Sequence, residues 1–169
     1  MRKLFIIFSI CLIASCSSDD GSIPNIDDLY GSWENVESVS AEQFDLDTNY
    51  SYSAKQKLNL NRDNSFEWLI YIINTESREI TGYRQKETGS FSQNGNILTF
   101  NLDRFEPEQN PESNSYRLST LENLVLTDQD IIMNYNFKLL KSNKTLLFDF
   151  PNCNSYSTCP ADIELNRVE

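Results

Sequence analysis

Along this chain, apolar and polar residues alternate far more often than they recur at helical spacing. In "DIIMNYNFKL", Ile131, Met133, Tyr135, Phe137 and Leu139 fall on one side, and Asn134, Asn136 and Lys138 on the other. "TLLFDF" repeats the pattern with Leu146, Phe148 and Phe150, and "NILTFNL" groups Leu98, Phe100 and Leu102. A period of two marks a strand with one face against a core. "SFEWLIYII" is apolar on both faces and predicts a strand that is central or lines an internal space. Asn- and Gly-bearing breaks separate the runs: "NRDNS", "SQNGN" and "KSNK" read as hairpin turns. "RFEPEQNPESN" reads as a longer, proline-broken loop. "IPNIDDLYGSW" holds at most one short turn of helix. About eight to ten strands joined mostly by hairpins predict an all-β fold, an antiparallel up-and-down barrel or a closely related sandwich.

The N-terminus breaks this pattern. Leu4 to Ile13 form an apolar run, too short for the roughly 20 residues a spanning helix needs. It follows Arg2 and Lys3 and ends in Ala14 and Ser15, the layout of a secretory signal over residues 1–15. "IASC" resembles a lipobox, which implies cleavage before Cys16 and acylation of its sulfur. Several acyl chains, each gaining about 0.8 kcal/mol per buried CH₂, make a stable membrane anchor. Residues 16–25 then read as a flexible tether, and residues 26–169 as one domain. The acidic "SSDDGS" resembles the export signal of Bacteroidetes-type lipoproteins, which implies an outer-membrane lipoprotein exposed at the cell surface. The competing placement is the periplasmic face, with the tract serving only as a solvated spacer.

Charge narrows the partners. The formal net charge is -11, and losing Arg2 and Lys3 with the signal makes the remainder more negative still. With no cluster of Lys and Arg, nucleic acid is excluded as a partner. Of four cysteines, Cys11 leaves with the signal and Cys16 takes lipid. Cys153 and Cys159 are expected to pair as a disulfide in an oxidising compartment, closing the short loop "CNSYSTC". A two-cysteine metal site competes with that reading, but the chain has no histidine to complete it.

"LYGSW" resembles the first strand of the lipocalin-like (calycin) barrels, in which a Gly-x-Trp closes one end. "NRDNSFEW" resembles that family's turn and following strand, and "TGSFSQNGNILTF" its next hairpin. "YRLSTLENLVL" and "DIELNRV" resemble later strands of lipocalin-like lipoproteins. The likeness spans about Leu29 to Val168. "RDNSF" departs from it by lacking a glycine before the aromatic, and Glu34 to Tyr52 are more polar than its strands. The resemblance implies that Arg167, near the chain end, covers Trp33 at the closed end of the barrel. It implies a fold and no particular ligand.

Little in the residues points to catalysis. Absence of histidine removes Ser-His-Asp and Cys-His machinery, and no Gly-rich phosphate cradle occurs. Glu67 in "FEWLIY" is an isolated carboxylate, read as solvent-facing. "DLDTN", Asp45 to Asn49, begins like a calcium loop, but Tyr50 and Gln56 stand where that loop needs glycine and glutamate. No cofactor and no metal are expected. Trp68, Tyr71, Tyr83, Tyr135 and Phe137 are candidates to line a ligand cavity, against the alternative that they simply fill the barrel. The expectation is a non-catalytic barrel, held to a membrane by its N-terminal lipid, that binds a small hydrophobic or amphipathic molecule. The alternative is an accessory or inhibitor module meeting an envelope protein through the polar segment Ser38–Tyr52 and the loop Phe105–Asn114.

Overall fold

A computed structural model describes residues 24–108, 115–149 and 162–168. The signal, Cys16 and the Cys153–Cys159 pair lie outside the described residues. Eight strands follow in order: β1 (Gly31–Val39), β2 (Tyr52–Leu60), β3 (Ser65–Asn74), β4 (Ile80–Asn94), β5 (Ile97–Glu106), β6 (Val125–Leu140), β7 (Thr145–Asp149) and β8 (Ile163–Arg167). Each pairs antiparallel with its neighbours in sequence. β8 returns to β1 through Trp33↔Arg167 and Glu34↔Asn166, so the sheet closes into an up-and-down barrel. Closure removes the sheet edges that an open arrangement would leave. Helix among the described residues is limited to 3₁₀ turns, Ile26–Asp28, Ala41–Phe44 and Leu121–Asn123.

The alternation sets which side chains turn inward. Leu98, Phe100 and Leu102 of β5, Tyr135 and Phe137 of β6, and Leu146 and Phe148 of β7 are all buried in one cluster. Trp33, Leu58, Leu60, Phe66, Trp68, Phe91 and Leu165 complete it. Burying side chains of this size stabilises the fold by about 1.5–3 kcal/mol each. Rings dominate: Phe66 meets Phe100 edge-on at 4.8 Å, and Tyr135 lies 5.1 Å from Phe148. The apolar-on-both-faces β3 is buried on both faces where Tyr71 and Ile72 sit side by side.

Turn chemistry fixes the register. In the β2–β3 turn, Asn64 adopts φ 63°, the left-handed conformation that asparagine tolerates better than most residues. Ser65 donates from its backbone and hydroxyl to Asp63 Oδ1, and these bonds hold the Asp63 carboxyl below its ordinary value. Gly95 takes φ 63° in the β4–β5 turn. One segment departs from the strand reading of "YRLSTLENLVL". Between Tyr116 and Leu124 the backbone makes only an isolated bridge, Tyr83↔Ser119, and a 3₁₀ turn, and strand begins at Val125.

The barrel ends differ. At one, the Arg167 guanidinium lies 4.3 Å from the Trp33 ring and donates to the backbone carbonyls of Tyr30, Asp28 and Asn143. Trp33 itself donates from Nε1 to Leu29 O at 2.8 Å. At the other, a second apolar cluster forms from Phe44, Tyr52 and Ile72, with Val39, Ala41, Leu46, Ala54 and Leu118 packed on it. Much of that cap comes from the polar segment after β1, which folds inward through Phe44 rather than standing free as a loop.

Candidate functional site

Register places one continuous row of side chains around the inner wall. From β8 to β5 it reads Arg167, Trp33, Leu58, Trp68, Glu87 and Arg104, each paired with the next. The row therefore starts at the closed end in apolar contacts and finishes in an ion pair. The row next to it reads Asn35, Gln56, Ile70 and Gln85. Leu58, Trp68 and Glu87 are buried, whereas Asn35, Gln56, Ile70, Gln85 and Arg104 are only half-buried although they share the inward face. A barrel filled at this level would bury them. The polar row thus lies between the aromatic cluster and the Phe44–Tyr52–Ile72 cap, in space that solvent reaches.

Glu87 is the anchor of this belt. Its residue is 4% exposed, and a carboxylate so buried requires compensation. Arg104 supplies it, with Nε and Nη2 both 2.8 Å from Glu87 Oε1. Gln85 Nε2 donates to the same oxygen at 2.7 Å. Arg104 Nη2 also reaches Met133 Sδ at 3.7 Å, and Tyr135 donates its hydroxyl to that sulfur at 3.3 Å. Burial, reinforced by the negative charge of Glu87, pushes the Tyr135 phenol up to about 12. Tyr135 is therefore a neutral hydroxyl across the physiological range.

Of the five aromatics expected to line a cavity, three face inward together. Trp68, Tyr135 and Phe137 belong to the inner cluster, with Trp68 6.3 Å from Tyr135 and 5.7 Å from Phe148. Tyr71 and Tyr83 do not join them. Tyr71 pairs with Lys55 on the outer face, and a register shift between Ile70 and Tyr71 turns Tyr83 outward beside it, with rings 5.5 Å apart. There Tyr71 lines an outer groove of about 420 Å³ that includes Val36, Ser53, Lys55, Ile73 and Ile80. Lys55 in that groove sits 2.6 Å from Glu34, whose hydrogen bond raises the Lys55 pKa, and burial raises that of Tyr71.

Other candidates resolve simply. Glu67 is on the outer face, 3.7 Å from Lys86. In the Asp45–Asn49 segment, Asp47 Oδ1 accepts from both the backbone and side-chain nitrogens of Asn49, an ordinary turn-stabilising arrangement. Among the described residues no group of three His, Cys, Asp or Glu is placed to hold a metal ion.

Glu87, Arg104 and Gln85 were not singled out from the sequence, although a signal existed. Continuing the inward parity of Phe91 back through Gly89 reaches Glu87, and that of Leu102 forward reaches Arg104. No protein-family model, curated protein or solved structure matches this chain.

Proposed function

We propose that this chain is a lipid-anchored envelope protein whose lipocalin-like barrel binds a small hydrophobic or amphipathic molecule and works by holding it, not by chemistry on it. The observation that carries the reading is the half-accessible polar belt set against a dry aromatic cluster inside a closed wall. Such a pairing of apolar surface with a few convergent polar groups is what small-molecule sites use. The charged groups of the belt are already engaged, since Arg104 neutralises Glu87. The lipobox-like "IASC" supports anchoring through Cys16, and the following acidic tract supports the cell surface over the periplasmic face.

Mass spectrometry of the chain extracted gently from its own membranes tests the reading. A stoichiometric small amphiphile, retained by the folded protein and released on unfolding, is expected. Recovery with no bound small molecule, together with indifference of tryptophan fluorescence to added lipids, would count against it. Protease shaving of intact cells tests the surface placement, since a periplasmic-facing protein survives untouched.

One observation favours the alternative of an envelope interaction module. Ile132 is 68% exposed on β6, and Val125 and Leu126 on the same strand are exposed too. A photo-crosslinker at position 132 that traps one discrete envelope protein in cells would support that module, and a lack of adducts would oppose it.

A further inference from the structure

Trp68 sets the chemistry of the ligand. Its residue is 6% exposed, and its indole Nε1 is buried without a hydrogen-bond partner. Buried donors are nearly always satisfied, so an orphan of this type calls for an acceptor absent from the polypeptide. Trp33 makes the contrast, since its own Nε1 is taken up by Leu29 O. Beside Trp68 in register stands Glu87, on the same inward face. All the side-chain hydrogen bonds of Glu87 among the described residues converge on Oε1, which leaves Oε2 an open acceptor. An unused donor and an unused acceptor are therefore neighbours on the inner wall.

We infer that this pair recognises an uncharged hydroxyl group at the head of an otherwise apolar molecule, the chemistry of an aliphatic alcohol. The hydroxyl oxygen accepts from Trp68 Nε1 while its proton is donated to Glu87 Oε2. The apolar remainder runs along Ile70 toward the Phe44–Tyr52–Ile72 cap. A carboxylate head would face the negative charge of Glu87 with no proton to donate to Oε2, and an ammonium head would have no lone pair to accept from Trp68 Nε1, so neither completes both bonds. A head group that cannot accept leaves the buried Trp68 Nε1 unpaired, and one that cannot donate forgoes the bond to Glu87 Oε2. The inference rests on the proposed binding role of the barrel interior.

Calorimetric titration of the full chain with 1-octanol, octanoate, octylamine and methyl heptyl ether tests it. Octanol is expected to bind about tenfold more tightly than each of the others, the worth of one desolvated hydrogen bond. Trp68→Phe is expected to weaken octanol by a similar factor and leave octanoate unchanged. Should that variant fail to fold, the ligand series on the unaltered chain still decides. Equal binding of octanol and octanoate, or octanol affinity indifferent to Trp68→Phe, overturns the hydroxyl assignment while leaving the carrier role standing. Failure of all four probes to bind overturns both.

Discussion

Arg104 earns its place by what Glu87 would suffer without it. Removing one partner of a buried ion pair strands the other charge, whereas removing both leaves only apolar volume to fill. Arg104→Ala is therefore expected to cost about 3 kcal/mol in urea unfolding, and the double variant Glu87→Leu/Arg104→Leu distinctly less. A double variant that is worse than the single would contradict the assignment. Tyr135 supplies a pH dependence whose sign is fixed by its burial. Its folded pKa, about 12, stands above the ordinary value of 10.0. The native state thus keeps a proton that the unfolded chain loses. The associated stability is complete below pH 10 and declines as the pH rises toward 12, by about 2–3 kcal/mol. Urea midpoints measured through that window should fall in the parent and fall less steeply in Tyr135→Phe. None of these partnerships was legible from neighbouring residues. Glu87 and Arg104 lie in the polar stretches "RQKETG" and "LDRFEPE", and only the cross-strand register brings them face to face.

Strands were the most legible part of the chain, because β5, β6 and β7 write their inward faces as unbroken alternation. β4 was less so. Its register shift against β3 reverses which side a residue faces, and this sends Tyr83 outward although simple counting from Phe91 points it in. The long connection before β6 misled for a related reason. "YRLSTLENL" carries apolar residues, but Leu118 serves the cap, sitting over Gly82, instead of joining a ladder. Glycine positions within β4 and its turn separate two physical roles. At Gly89, with φ 157°, a Cβ would collide with the backbone oxygen of Asn101 on β5, an atom that cannot yield without breaking the sheet. At Gly95 a Cβ would meet nothing, and only φ 63° resists it. Gly89→Ala should destabilise by about 3 kcal/mol or more, and Gly95→Ala by only about 1 kcal/mol. Thermal unfolding of the two variants side by side measures the difference, and equal losses would mean that β4 and β5 are not so closely apposed.

Barrel closure joins these parts into one object with a filled end and a belted, solvent-reached interior. The contact of Arg167 with Trp33 at the filled end could be looked for in "LYGSW" and "LNRV", and the two side chains lie together. The belt could not, because alternation reports which face is inward and not whether the space behind it is full. That distinction appears only when half-buried Asn35, Gln56 and Gln85 are seen on the same face as fully buried Leu58 and Leu98. Ligand holding is the claim that depends on this space, and the two tryptophans report on it independently. In a nitrogen–proton correlation spectrum of the full chain, their indole N–H signals are separate probes, one already bonded to Leu29 O and one without a partner. On adding 1-octanol, the Trp68 signal should shift downfield with saturation while that of Trp33 stays in place. If neither signal moves, or only that of Trp33 does, the interior does not receive the probe beside Trp68 and the account fails.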